Sequence, residues 1–189
     1  MEEELVETKR DIRRELLSKR VTLPSELKSS YDERIRAGLR TLPEFRHANR
    51  VLLYCPIKGE PDLTPLFDQL FSQGKKLVLP KVEEDELLLL EVNNLTCLST
   101  GAFNILEPED GISVTPEELD LVVVPGIAFD VNGYRIGFGK GYYDRLLERV
   151  SAPKVGVAYS FQVLDRVPRD TWDKPVDIVV TEKEVIRRC

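Results

Sequence analysis

A chain of 189 residues that is 42% hydrophobic and 32% charged can bury one sizeable core and is short for two, so one domain is expected over residues 1–189. The net charge of −6 argues against general nucleic-acid binding, which depends on neutralising phosphates, but leaves room for small anions held by a local positive cluster. Met1-Glu2-Glu3-Glu4 carries no apolar leader, and the longest apolar runs, Leu87–Leu90 and Leu121–Val124, are far too short to span a bilayer, so a cytoplasmic monomer without a membrane partner is expected.

Glu3 to Arg20 reads as a helix with Leu5, Ile12 and Leu16 on one face. A turn at Thr22-Leu23-Pro24-Ser25 leads to a second helix, which carries Leu27, Tyr31, Ile35 and Leu39 four apart and ends near Pro43. Val51-Leu52-Leu53-Tyr54, stopped by Pro56, is a short buried strand. Thr64-Pro65 starts a helix with Leu66, Phe67, Leu70 and Phe71 inward and Gly74 as its C-cap. Further strands are expected at Leu77–Leu79, Leu87–Val92, Asp120–Val124, Lys154–Tyr159 and Ile178–Val180. Continuous apolar strands with helices between them predict an α/β fold, a three-layer open and largely parallel sheet flanked by helices. Ligands in such sheets sit beyond the C-terminal strand ends, which singles out residues 55–62, 80–81, 125–144 and 160–161.

The richest of these segments runs from Pro125 to Asp144. Asn132-Gly133 predicts a hairpin with a type I′ turn, in which both central residues take positive φ. Beyond it Gly137, Gly139 and Gly141 alternate, with Lys140 among them, and a helix follows with Tyr143, Leu146, Leu147 and Val150 inward. Closely spaced glycines let backbone N–H groups turn toward a ligand, and a helix start adds more, so the stretch reads as a Gly-rich phosphate-binding loop. It matches neither the Walker A nor the Rossmann spacing, and a glycine-rich turn that only packs a hairpin on a helix is the alternative. Asp144 in the first helical turn also has a plain dipole explanation.

Charged residues elsewhere offer partners for such a loop. Lys9 and Arg13, like Arg10 and Arg14, repel each other at a spacing of four unless an anion lies between them; a solvated face relieved by Glu7 and Glu15 is the plainer reading. After the first strand, Glu60 could accept N–H donors of a nitrogen-rich ring, whereas Asp62 is better placed to start the helix at Thr64. Asp173 could join Asp144 at a Mg²⁺ or pair with a nearby Lys or Arg, and Trp172, the single tryptophan, is expected in the core. Cys55, Cys97, Cys189 and the lone His47 show no metal-site spacing, so any metal is hard and oxygen-bound. His47 is read as structural and Cys55 as a packing residue.

Arg135-Ile-Gly-Phe-Gly-Lys-Gly-Tyr-Tyr-Asp144 resembles the signature of the 5-formyltetrahydrofolate cyclo-ligases, also called methenyltetrahydrofolate synthetases. Lys9 with Arg13, Glu60 with Asp62, and Trp172 to Glu182 resemble other segments of that family in the same order. The resemblance implies ATP- and Mg²⁺-dependent cyclisation of 5-formyltetrahydrofolate, polyglutamated or not, to the 5,10-methenyl form, with ADP and phosphate released. It implies an ATP site of Lys9, Arg10, Asp11, Ile12, Arg13, Arg135, Ile136, Gly137, Phe138, Gly139, Lys140, Gly141, Tyr142 and Tyr143. It further implies a folate site of Cys55, Glu60, Phe138, Gly139, Lys140, Gly141 and Tyr142, catalytic roles for Lys140, Tyr142 and Arg135, and Mg²⁺ on Asp144 and Asp173. Phe138 stands where some members carry Arg, and Lys140 where others carry Gly. A sugar-phosphate isomerase or deaminase, or a non-catalytic phosphate-ligand sensor, are the competing readings, and Mg²⁺-dependent ATP binding separates them from the first.

Overall fold

A computed structural model describes residues 2–95, 98–100 and 106–188; the side chains of Leu5 and Glu7, and Cys97 and Cys189, lie outside the described residues. Three helices come first, α1 (Glu2–Val21), α2 (Ser25–Thr41) and α3 (Pro43–His47). Strand β1 (Arg50–Leu52) leads through a loop to α4 (Pro65–Ser72), followed by β2 (Lys76–Glu83) and β3 (Glu86–Val92). Short strands β4 (Leu98–Thr100), β5 (Leu106–Pro108) and β6 (Ile112–Val114) precede β7 (Leu121–Val124). Then come β8 (Ala128–Asp130), β9 (Arg135–Ile136), α5 (Tyr142–Glu148), β10 (Lys154–Val157), β11 (Val163–Leu164), β12 (Ile178–Val180) and β13 (Val185–Arg187).

The main sheet has eight strands in the order β13-β12-β10-β7-β1-β2-β3-β6. The five from β12 to β2 are mutually parallel, and antiparallel strands edge them on both sides. The side-chain period of two sends alternate residues of one strand to opposite faces. Val51, Leu77, Val123 and Val155 pack on one side with Ile35 and Leu39 of α2 and Leu66, Phe67 and Leu70 of α4. Leu52, Val78, Val122 and Val124 pack on the other with Leu146 and Leu147 of α5 and the nearby Val150. Both faces are therefore covered, which explains strands that read as unbroken apolar runs.

The Leu87–Val92 run is a strand as expected, and it returns antiparallel on β2 through a tight turn at Glu84, which has φ +53°. Two expectations are corrected. The hairpin at Asn132-Gly133 is not type I′, because only Gly133 has positive φ, at +85°. Fully buried Asp130 shapes it instead, its Oδ1 accepting the N–H groups of Asn132 at 3.0 Å and Tyr134 at 3.1 Å. Trp172 is not a core residue: it is 62% exposed. No helix of the described residues is long and apolar enough to cross a membrane.

Candidate active site

Strands β8, β9 and β11 form a small second sheet beyond the C-terminal end of β7. Helix α1 lies on it, with Ile12 and Leu16 packed against Ile127, Ala128, Ile136 and Val167. That contact sets the polar stripe of the same helix, Lys9, Arg13 and Arg20, over the chain segments that leave the strands.

Each of these cations has a distant partner. Lys9 Nζ donates to Asp173 Oδ2 at 3.0 Å and Asp170 Oδ2 at 3.2 Å. Arg13 Nε donates to the Gly137 carbonyl at 2.7 Å. The like-charge repulsion expected along this face is thus relieved by the protein itself. Burial lowers the Arg13 pKa, as does neighbouring Arg10, while Asp173 opposes them. Arg10 and Asp11 stay on the exposed side of the helix, where Asp11 pairs with Arg14 at 3.0 Å.

The glycine loop follows β9. Gly139 has φ +99°, and a Cβ there would stand 3.5 Å from Arg13 Nη2. Gly141 is the N-cap of α5, with φ +73°. Lys140 is exposed, its carbonyl accepting Arg145 Nη1 at 3.0 Å, and the Arg145 guanidinium lies 5.4 Å from the Tyr142 ring centroid. Arg145 Nη2 also donates to the Asp85 carbonyl at 2.7 Å, which ties the loop to the β2–β3 hairpin.

Arg135 sits beneath the loop at 7% exposure. Its Nη1 donates to the Pro125 carbonyl at 3.1 Å and its guanidinium lies 5.2 Å from the Tyr143 ring centroid. Burial lowers the Arg135 pKa, and Asp144, Tyr143, Asp173 and Glu60 oppose the shift in that order. Three carboxylates expected at the site from separate sequence segments therefore act electrostatically on one buried guanidinium. Arg135 Nε and Asp144 Oδ1 are both buried without a hydrogen-bond partner. Leaving such groups unpaired costs about 1–3 kcal/mol each, so both are open to a further partner.

Glu60 is 3% exposed, with its Oε1 accepting the Ile57 N–H at 2.9 Å. Burial pushes its pKa up to about 7, against the pull of that bond and of Arg20, Arg135 and Lys28. The folded chain then binds more protons than the unfolded chain between Glu60's ordinary 4.5 and about 7. Stability falls as pH rises through that window. Urea unfolding at pH 5 and pH 8 is expected to show a loss of roughly 2–3 kcal/mol in the native chain that Glu60→Gln lacks. Equal pH dependence in both proteins would show that Glu60 ionises freely.

Asp62 is local, its Oδ1 accepting the Thr64 N–H at 3.0 Å and hydroxyl at 2.7 Å. Cys55 is buried, and burial followed by the nearby Asp62 pushes its thiol up to about 11, which suits packing and not nucleophilic attack. Sequence reasoning missed Arg20, which is 1% exposed. Its Nε donates to the Lys58 carbonyl at 3.0 Å and its Nη1 to the Gly126 carbonyl at 3.2 Å, while Nη2 is unpartnered. The signal was there: Arg20 stands seven residues after Arg13, on the same helical face.

The described residues hold no group of three or more His, Cys, Asp or Glu fit for a metal. Mg²⁺ needs less protein than that, taking one or two carboxylates plus substrate phosphates and water. The unpartnered Asp144 oxygen fits that habit; Asp173 is already engaged by Lys9. A separate cleft of about 400 Å³, lined by Arg40, Phe45, Arg46, Gln69, Gln73 and Lys75, lies near the opposite, N-terminal ends of β1 and β2.

A sequence model described as the 5-formyltetrahydrofolate cyclo-ligase family matches residues 5–182. The 5-formyltetrahydrofolate cyclo-ligase of Escherichia coli K12 is 32% identical over 175 residues, covering 88% of this chain and 96% of its own. That of Mycoplasma pneumoniae is 31% identical over 180 residues, covering 93% and 99%. The solved structure of Aquifex aeolicus 5,10-methenyltetrahydrofolate synthetase superposes with a TM-score of 0.87 at 55% identity, over 95% of this chain and 92% of that one. The Mycoplasma pneumoniae synthetase superposes with a TM-score of 0.77 at 30% identity, over 92% and 98%.

Proposed function

The chain belongs to the 5-formyltetrahydrofolate cyclo-ligase family, and we propose that it converts 5-formyltetrahydrofolate and ATP to 5,10-methenyltetrahydrofolate, ADP and phosphate with Mg²⁺. The observation that carries the reading is the pair of buried, unpartnered polar atoms, Arg135 Nε and Asp144 Oδ1, at a glycine loop that Arg13 holds through the Gly137 carbonyl.

In this reading Arg13, Lys9 and the backbone from Gly137 to Gly141 hold the triphosphate, with Lys140 reaching the transferred group. Glu60 receives N–H donors of the pterin ring, and Cys55, Phe138 and Tyr142 line the folate side. The formyl oxygen attacks the γ-phosphorus and ADP leaves. N10 then attacks the activated carbon and loses its proton, and the former formyl oxygen departs in phosphate. Asp144 and Asp173 would hold Mg²⁺, which when bound supplies positive charge to the β- and γ-phosphate oxygens. The protein's part is to position and to stabilise charge, and Arg135 offers a guanidinium that the folded chain has already desolvated.

The test is the absorbance of the methenyl product with 5-formyltetrahydrofolate as substrate. Product is expected only when ATP and Mg²⁺ are both present, and ADP should appear in step with it. Cyclisation at the same rate without nucleotide, or no cyclisation with both, would defeat the assignment.

A further inference from the structure

Among the described residues, two that are not glycine take positive φ: Lys58 at +46° and Glu84 at +53°. Glu84 is explained by the tight turn between β2 and β3. Lys58 stands in the loop after β1, followed by Gly59 at φ +77°. The Lys58 carbonyl is anchored from below by Arg20 Nε at 3.0 Å. That bond uses the backbone alone, and a glycine would make it without the steric cost that a Cβ brings in this region. A lysine held there needs a reason that lies in its side chain.

The side chain crosses to the other substrate loop. Its ammonium lies 4.9 Å from the centroid of the Phe138 ring, and both residues are exposed. No ion pair to Lys58 is found among the described residues. Phe138 stands between Gly137, whose carbonyl accepts Arg13 Nε, and Gly139, whose open side faces Arg13. The cation is thus delivered to the Phe138 ring of the glycine loop from a different part of the chain.

We propose that Lys58 is a further phosphate-binding residue, which the Phe138 ring holds ready at the loop tip for the anionic end of the nucleotide. The inference rests on the nucleotide reading given above. A cation over an exposed ring is held more weakly than one bonded to a phosphate oxygen, so the ammonium exchanges ring for phosphate readily. The ring meanwhile limits the positions that a long, flexible side chain samples.

Calorimetric titration with Mg-ATP, and separately with 5-formyltetrahydrofolate, tests this on the wild type, Lys58→Met, Lys58→Arg and Lys58→Gly. Lys58→Met should bind Mg-ATP about ten-fold more weakly, with folate affinity unchanged and most of the loss restored in Lys58→Arg. Lys58→Gly should lose the same affinity yet keep or raise the melting temperature, an outcome that a purely structural lysine does not produce. Wild-type affinity for Mg-ATP in Lys58→Met overturns the proposal and leaves the enzyme reading standing. A loss confined to the folate titration overturns it too, assigning the ammonium to the folate carboxylates. A wild type that binds no Mg-ATP overturns both readings together.

Discussion

Asp144→Asn is expected to lower methenyl-product turnover about 100-fold or more at ordinary Mg²⁺, with partial recovery as Mg²⁺ is raised. The substitution keeps the shape of the side chain and removes the charge of the one carboxylate at the site that has a buried, unpartnered oxygen. Two effects on stability oppose each other. An unpaired buried carboxylate oxygen is no longer desolvated, and Arg135 loses the first of its nearby countercharges. The melting temperature is therefore expected to move little while the shift produced by Mg-ATP disappears. Asp173→Asn should behave differently, because its Oδ2 binds both Lys9 Nζ and the Asp170 N–H, at 3.0 and 2.7 Å. That variant should lose stability as well as turnover. Wild-type Mg²⁺ dependence in Asp144→Asn would remove it from the metal site.

Gly133→Ala carries the largest expected cost to the fold, about 4 kcal/mol or more, through backbone strain and overpacking together. A Cβ at this position, where φ is +85°, would stand 2.1 Å from the Val176 carbonyl oxygen. That oxygen belongs to the backbone and cannot swing away as a side chain would. The Gly133 carbonyl also accepts the Val176 N–H at 2.8 Å, which joins the hairpin before the glycine loop to the segment leaving Asp173. The variant should thus lose activity in parallel with its unfolding midpoint in urea. Gly74→Ala is the control, since a Cβ there meets nothing within 4 Å and only its φ of +70° is strained. An unchanged midpoint in Gly133→Ala would mean that the hairpin relaxes freely away from Val176.

These two residues mark a boundary in what the sequence discloses. The class of fold is written locally. A four-residue apolar run such as Leu121–Val124, cut by Pro125-Gly126, favours a buried strand, and the recurring four-residue spacing of Leu27, Tyr31, Ile35 and Leu39 favours an inward helix face. The glycine loop was legible for the same reason, since its unusual composition lies within ten consecutive residues. Strand direction was not legible, because Leu87–Val92 has the same composition whether it runs with β2 or returns on it. The turn at Asn132-Gly133 was misjudged because Asp130 outside the dipeptide supplies the bonds that shape it. Trp172 was misplaced because residue type is only an average tendency, and here the ring stays outside while its neighbour Asp173 binds Lys9.

By itself the sequence determined the α/β class, the position of the glycine-rich segment and the family likeness. Each of these depends on residue type and on spacing short enough for one helix turn or one loop to express. Only the tertiary structure decided which charges meet. Lys9 and Asp173 are 164 residues apart, and Arg13 and Gly137 are 124 apart. Their encounter depends on α1 lying across β8 and β9, a packing that no local pattern encodes. The same packing decided that Arg20 is buried against the Lys58 carbonyl, and that Asp144, Asp173 and Glu60 all act electrostatically on Arg135, because burial and electrostatic neighbourhood exist only once separate elements have closed around a common volume.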